Sequence, residues 1–420
     1  MASGLDQPLP NLPIRDWLRR FALAWERPLW SAGLALCVYV LFAAANGSIW
    51  RSSRYAYFNY LADAFLHAQF HLRIVPPSPH DLSVVNGKYY LYWPPFPALL
   101  LIPFVALFGV GFSDIVFTLA LGAVNVALVA LLLRHASRRL VIKVTGVQRG
   151  LLVLCFALGT VHLTLAPLGR VWFTAQLVGF CCLALAYLAT LSLTGWRSFA
   201  LTGLCIAAAW LTRNHLVFAG LWPGCFLLHS HRALGWRRLL GLAMLGSAPI
   251  IVAVGLLGAY NWLRFSSPFD NGLAYHNMGP LFVGDYQRYG AFNIHYVPTN
   301  FRYQYIAYPF PLREANLMGG SLFLLTPVFF ASFYALARGH PRWSVWTLFA
   351  TILLIAAPIL LLMGTGWIQF GPRYTLDFMV PLLLLTAIGI RRWPRWLLLL
   401  LTLVSVVHYM LGSLYLATFI

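Results

Sequence analysis

Acidic side chains are scarce in this sequence: ten Asp and Glu stand among 420 residues, and charged residues of both signs amount to 9%. The chain is 60% hydrophobic, and a soluble domain has no means of burying so much apolar surface arranged in long runs. A soluble globular class is therefore excluded. Cysteine is equally confined. All six (positions 37, 155, 181, 182, 205 and 225) fall inside apolar runs, so neither a disulfide framework nor an exposed Cys–Cys metal site is implied. No glycine-rich nucleotide loop stands in the short basic segments between runs. No small-residue cleavage site follows the first run, which reads as an uncleaved membrane anchor.

What is present is the pattern of an all-α, polytopic membrane protein. The runs are continuous and do not alternate, which favours helices over a β-barrel. Eleven spans are expected, at about 29–46, 114–133, 150–166, 173–194, 198–212, 215–229, 239–262, 319–337, 344–363, 375–390 and 396–418. The stretch "PPFPALLLIPFVALFG", residues 94–109, is short and proline-broken, and reads as an interfacial or re-entrant piece. A net charge of +19 would suggest nucleic acid in a soluble protein, but here the basic residues cluster between apolar runs, as in cytoplasmic loops. With the N-terminus inside, eleven spans put 18 of the 29 Lys and Arg on the cytoplasmic side. Counting 94–109 as a span would throw "RHASRRLVIK" outside, against the positive-inside rule. The expected division is a cytoplasmic tail over 1–28 and one transmembrane domain over 29–418, with outer loops 47–113 and 263–318. A multi-pass membrane protein whose polar chemistry faces away from the cytoplasm follows.

Seven of the ten acids fall on the expected outer side. One lies in "SSRYAYFNYLADAFLHAQFHLR", residues 52–73, where positions 57, 58, 61, 64, 65 and 68 are apolar at helical spacing. Asn59, Asp63, His67 and His71 recur every four residues on another face, as in an amphipathic juxtamembrane helix. His67 and His71 have zinc-ligand spacing, but the glutamate of a zinc-protease motif is absent, and no metal or other cofactor is indicated. Asp81, in "SPHDLSVVNGKYY", either contributes an acid or braces the "NG" turn. Asp114, after Ser113, reads as a helix-start residue.

Three stretches resemble the membrane glycosyltransferases that use polyprenyl-phosphate sugars. These form the GT-C superfamily, which includes bacterial relatives of protein mannosyltransferases and lipid A aminoarabinose transferase. The stretches are "SSRYAYFNYLADAFL", "VNGKYYLYWPPFPALLLIP" and "FGPRYTLDFMVP". The resemblance implies a GT-C-like fold, a polyprenyl-phosphate sugar donor, a lipid, glycan or protein acceptor, and inverting transfer at the outer membrane face. Membrane lipids are the remaining expected partners, and nucleic acid is not one. The family opens its first outer helix with an acidic pair, and this chain has Ser52 and Ser53 there. A second family carboxylate, between the third and fourth spans, is missing from "APLGRVWFTAQ".

Inverting transfer needs a base for the acceptor hydroxyl and cations for the departing phosphate. Asp63, with His67 to orient or replace it, is the expected base on a polar cavity, and Asp81 is the second candidate. A hydrated surface role for Asp63 is the alternative. Arg54, Lys88 and Arg373 are expected around the donor phosphate, Lys88 and Arg373 in one shared cavity. Tyr55 and Tyr89 come with the matched stretches as substrate contacts. Asp377 is expected to pair with Arg373 at i, i+4, and the pair is compatible with a substrate-binding role for both, since a braced guanidinium is the better clamp. Asp270 and His276, in an aromatic-rich loop, are acceptor-site candidates. A lipid transporter or an inactive lipid-binding scaffold of the same fold are the competing functions. Against transport, the ionisable residues gather at one face and not near the midplane of the spans.

The charge asymmetry predicts that loops 47–113 and 263–318 share the extracytoplasmic side. Ser78→Cys and Gly284→Cys should both react with an impermeant thiol reagent in intact spheroplasts. Labelling of one alone would overturn the eleven-span arrangement.

Overall fold

The computed structural model describes residues 13–47, 49–364, 366 and 368–419, so residues 1–12 of the expected tail lie outside the described residues. Helix α1 (Pro13–Glu26) leads into α2 (Pro28–Ala45), whose first residue is a proline, placed where a helix has no use for its N–H. A short α3 (Tyr57–Leu66) follows, then a hairpin of β1 (Ser83–Val85) and β2 (Lys88–Tyr90). Its turn residues Asn86 and Gly87 are both left-handed (φ 50 and 73), the geometry that two-residue hairpins favour. Next come α4 (Phe96–Phe108), α5 (Asp114–Arg138), α6 (Gly146–Leu158), α7 (Val161–Leu165), α8 (Val171–Ser192), α9 (Gly195–Trp210), α10 (Leu221–Ser230) and α11 (Trp236–Phe265). The last third holds α12 (Pro280–Tyr289), α13 (Val297–Phe301), α14 (Leu322–Leu325), α15 (Ala331–Arg338), α16 (Arg342–Leu361), α17 (Met379–Gly389) and α18 (Arg395–Leu416).

The protein is an all-α, multi-pass membrane protein. Eight helices among the described residues are long and apolar enough to span, against the eleven expected. The three others are short or broken. The 198–212 span is α9, of 16 residues. The 215–229 span is a 3-10 stretch, Asn214–Gly220, followed by the ten-residue α10. The 319–337 span is divided at Thr326–Pro327, where proline supplies no N–H to continue α14, and resumes as Pro327–Phe330 and α15. Helix α4 has 13 residues, about 20 Å, short of the roughly 30 Å hydrocarbon layer. Over 52–73 the helix is also shorter than its periodicity suggests. It ends at Leu66, because Ala68 turns left-handed (φ 54) and Gln69 N returns to Ala64 O at 2.8 Å.

Within its 18-residue apolar stretch the segment 373–392, which contains α17, is the best enclosed span, 89% buried, whereas in the corresponding stretch of α11 only 6% is covered by protein. A second, smaller apolar cluster joins α3, α4 and the start of α8 through Phe58, Leu61, Leu101 and Ala175. Close crossings rest on small residues. A Cβ at Gly203 would fall on the carbonyl of Gly246, so α9 and α11 meet backbone to backbone there. Gly203→Val should separate this crossing and cost about 1–3 kcal/mol, seen as a lower unfolding midpoint in detergent. An unchanged midpoint would mean that α11 is held elsewhere.

Candidate active site

The two long polar loops are tied together at one end of the bundle. Asp81 N donates to Asn277 O at 3.0 Å, and Asn277 N returns to Leu82 O at 2.8 Å. Ser83 Oγ donates to Gly272 O at 2.7 Å, and Tyr57 OH donates to Ser78 O at 2.6 Å and to His80 O. Asp81 is thereby held in a left-handed conformation (φ 63) that Asp tolerates better than most residues. Its carboxylate accepts from His276 Nε2 at 2.9 Å and Trp172 Nε1 at 3.1 Å, with His80 Nε2 at 3.2 Å. For His276 to donate there its proton sits on Nε2, and its buried Nδ1 has no partner among the described residues.

Asp81 lies on a cavity of about 860 Å³. Among the described residues it is the one carboxylate on that lining, and it shares it with four arginines: Arg54, Arg170, Arg213 and Arg373. One flank is apolar, formed by Phe282, Phe292, Ile359 and Leu362. Desolvation, with Asp81's charge next in weight, raises the Tyr92 hydroxyl above its ordinary pKa, so Tyr92 faces the cavity as a neutral phenol. The same two causes raise Tyr57 behind the loop. A low-dielectric pocket with several cations and one carboxylate suits an anionic group carried on an apolar chain.

Two of these arginines rest against Tyr374. The guanidinium carbon of Arg213 lies 5.6 Å from its ring centroid and that of Arg373 4.8 Å. Asp377, fully buried behind them, binds Arg213 Nη2 at 3.1 Å and His215 Nε2 at 2.8 Å. The expected Arg373–Asp377 pair does not form. Arg373–Phe378 is a 3-10 helix, and at three residues per turn positions i and i+4 do not align. Arg373 instead donates to Tyr374 OH at 3.1 Å, and its carbonyl accepts from Gln176 Nε2 at 2.8 Å.

Of the residues expected from sequence, Arg54, Tyr55, Asp81, His276 and Arg373 line this cavity. Asp377 is enclosed behind its wall. Asp63 is not on the lining: it faces Arg73 Nη1 at 3.4 Å and His67 Nδ1 at 3.6 Å on the flank of α3. His67 follows the end of that helix and donates Nδ1 to Asp63 O at 2.8 Å, so His67 and His71 do not share a helical face. Lys88 is exposed on β2, away from the lining, so it and Arg373 do not share this cavity. Tyr89 accepts Leu72 N on its carbonyl at 2.8 Å, and Asp270 shapes its own turn through Gly272 N at 2.8 Å and Tyr275 OH at 3.0 Å. Arg170, Trp172, Arg213 and His215 went unselected, although Arg170 and Arg213 each sit in a turn on the expected outer side. Among the described residues, no group of three His, Cys, Asp or Glu side chains is placed to hold a metal ion.

The helical architecture is GT-C-like. Among solved structures it is similar to ArnT from Cupriavidus metallidurans, a structure described as bound to undecaprenyl phosphate, with a TM-score of 0.50 and 16% sequence identity. The match covers 86% of this chain and 59% of that one, so the chain spans about three fifths of that protein's length. At this identity the likeness is one of fold. No protein-family model and no curated protein sequence matches the chain.

Breaking the buried pair leaves a carboxylate without its main cation. Arg213→Ala should destabilise by roughly 3 kcal/mol, and Arg213→Ala/Asp377→Asn by clearly less, measured by thermal unfolding. If the double variant is no more stable than the single one, Asp377 is not held by Arg213.

Proposed function

We propose that the protein is an inverting glycosyltransferase that moves a sugar from a polyprenyl-phosphate donor to the hydroxyl of a lipid, glycan or protein acceptor. The observation that carries this reading is the pairing of one carboxylate, Asp81, with four arginines beside an apolar wall. In the transfer, the acceptor oxygen bonds to the anomeric carbon as the bond from that carbon to the phosphate oxygen breaks. The acceptor proton passes to Asp81, and the electron pair leaves with the lipid phosphate, whose added charge the arginines offset. Asp81 takes this role in preference to Asp63, because Asp81 is on the lining and Asp63 is paired outside it.

The GT-C-like fold supports the reaction class, and the undecaprenyl phosphate bound to ArnT supports the donor lipid. The wall of Phe282, Phe292, Ile359 and Leu362 suits an isoprenoid chain. The clustering of Lys and Arg in the loops of the opposite side supports an active face outside the bacterial inner membrane.

Asp81→Asn keeps size and removes basicity, so it should lower sugar transfer by about 10²-fold or more in purified membranes supplied with polyprenyl-phosphate sugars. Binding of the donor should change little, and Asp63→Asn should stay within a few-fold of wild type. Near-full turnover in Asp81→Asn would remove it as the base.

A further inference from the structure

A buried carboxylate that the proposed reaction does not use lies beneath the turn that carries Arg170. Asp114 opens α5 and is 2% exposed. Its Oδ1 accepts Ser53 N at 2.7 Å, and its Oδ2 accepts Ser53 Oγ at 2.6 Å and Arg170 N at 2.8 Å. Gly169 and Arg170 are both left-handed, each with φ 63, and a Cβ at Gly169 would stand 2.8 Å from Asp114 Oδ2. An arginine in that region is strained and persists where its surroundings over-determine it, commonly at ligand clamps. Here Asp114 supplies the restraint from below, and Val171 N to Tyr55 O, 2.9 Å, supplies it from the side.

The result is one rigid unit made of 53–55 and 169–171, with the carboxylate underneath and the cavity above. Ser53, Arg54, Tyr55 and Arg170 all line that cavity. Asp114 engages the backbone of Arg170 and not its guanidinium, whose carbon lies 5.6 Å from the Tyr55 ring centroid. Among the described residues, none of the other three arginines has its backbone bonded to a buried carboxylate in this way. Arg213 is paired with Asp377, Arg373 is set against Phe173 and Tyr374, and Arg54 is exposed. Arg170 is the preorganised cation.

We propose that Arg170 binds the phosphate of the lipid donor, and that Asp114 is the positioning residue that fixes it for that contact. The inference rests on the reading of the cavity as a polyprenyl-phosphate site, and gives the phosphate contact to Arg170, with Lys88, one of the cations expected there from sequence, lying off the lining. It is tested on the purified full-length protein with undecaprenyl phosphate alone, by direct binding, with no transfer reaction involved. Arg170→Ala and Asp114→Asn should each weaken binding by about 10-fold or more, and Lys88→Ala by less than about two-fold.

The double variant Arg170→Ala/Asp114→Asn should bind no more weakly than Arg170→Ala, because Asp114 acts through Arg170. A carboxylate that merely stabilised the fold would give losses that multiply. If Asp114→Asn does not fold, Gly169→Ala, whose Cβ crowds the same carboxylate, replaces it and should weaken binding likewise. Wild-type affinity in Arg170→Ala, or multiplying losses in the double variant, overturns the inference and leaves the cavity's function standing. Failure of the wild type to bind undecaprenyl phosphate overturns both.

Discussion

Desolvation of carboxylates governs how the cavity end of this bundle is built. An ionised acid next to hydrocarbon is tolerated only where donors or cations surround it. Three acids lie on the cavity or directly behind its wall, and each gathers partners from distant parts of the chain. Asp114 draws Ser53 and the turn at Arg170 onto the head of α5. Asp377 draws Arg213 and His215 onto the helical turn before α17. Asp81 takes His276 from one loop and Trp172 from the start of α8.

The electrostatic character of the cavity follows from the same arrangement. Each internal acid is satisfied partly by neutral donors, so the arginines recruited to this end are not all neutralised. Asp114 uses two backbone N–H groups and a hydroxyl, and Asp81 uses an indole and an imidazole. Four guanidinium groups then face a cavity lined by one carboxylate, between apolar walls that weaken screening. A phosphate on an isoprenoid chain meets cation and hydrocarbon together in such a place.

The fold was legible because apolar runs long enough to span report burial on every side, whatever the neighbours are. The breaks at Thr326–Pro327 and Ala68 were not. At the first, a proline signal was absorbed into a longer apolar run. At the second, an ordinary alanine adopts a left-handed turn that no local pattern announces. Half of the site was readable, since Arg54, Tyr55, Asp81 and Arg373 sit in short stretches with local signatures. The other half depends on pairings across the fold. Asp81 meets Trp172 across 91 positions and His276 across 195, and His215 meets Asp377 across 162. No window of sequence contains either end of those contacts together with the other, so Arg170, Trp172 and Arg213 looked like ordinary turn residues.

The serines that stand where the family resemblance places an acidic pair have a structural account of the same kind. Ser53 does not leave that corner without a carboxylate, because Asp114 reaches its hydroxyl and its backbone N–H from 61 positions away. The charge at this corner lies in the layer beneath the cavity surface. There it is closed off by its own hydrogen bonds and by Gly169, and it faces Ser53 and Arg170 where the cavity would otherwise be. A base must reach the proton it removes, either directly or through one water. Access, more than the number of donors, therefore separates the two carboxylates. Asp81 has one edge of its cage open to the cavity, as the base of the proposed reaction requires, whereas Asp114 is fully enclosed and meets only the groups around that cavity.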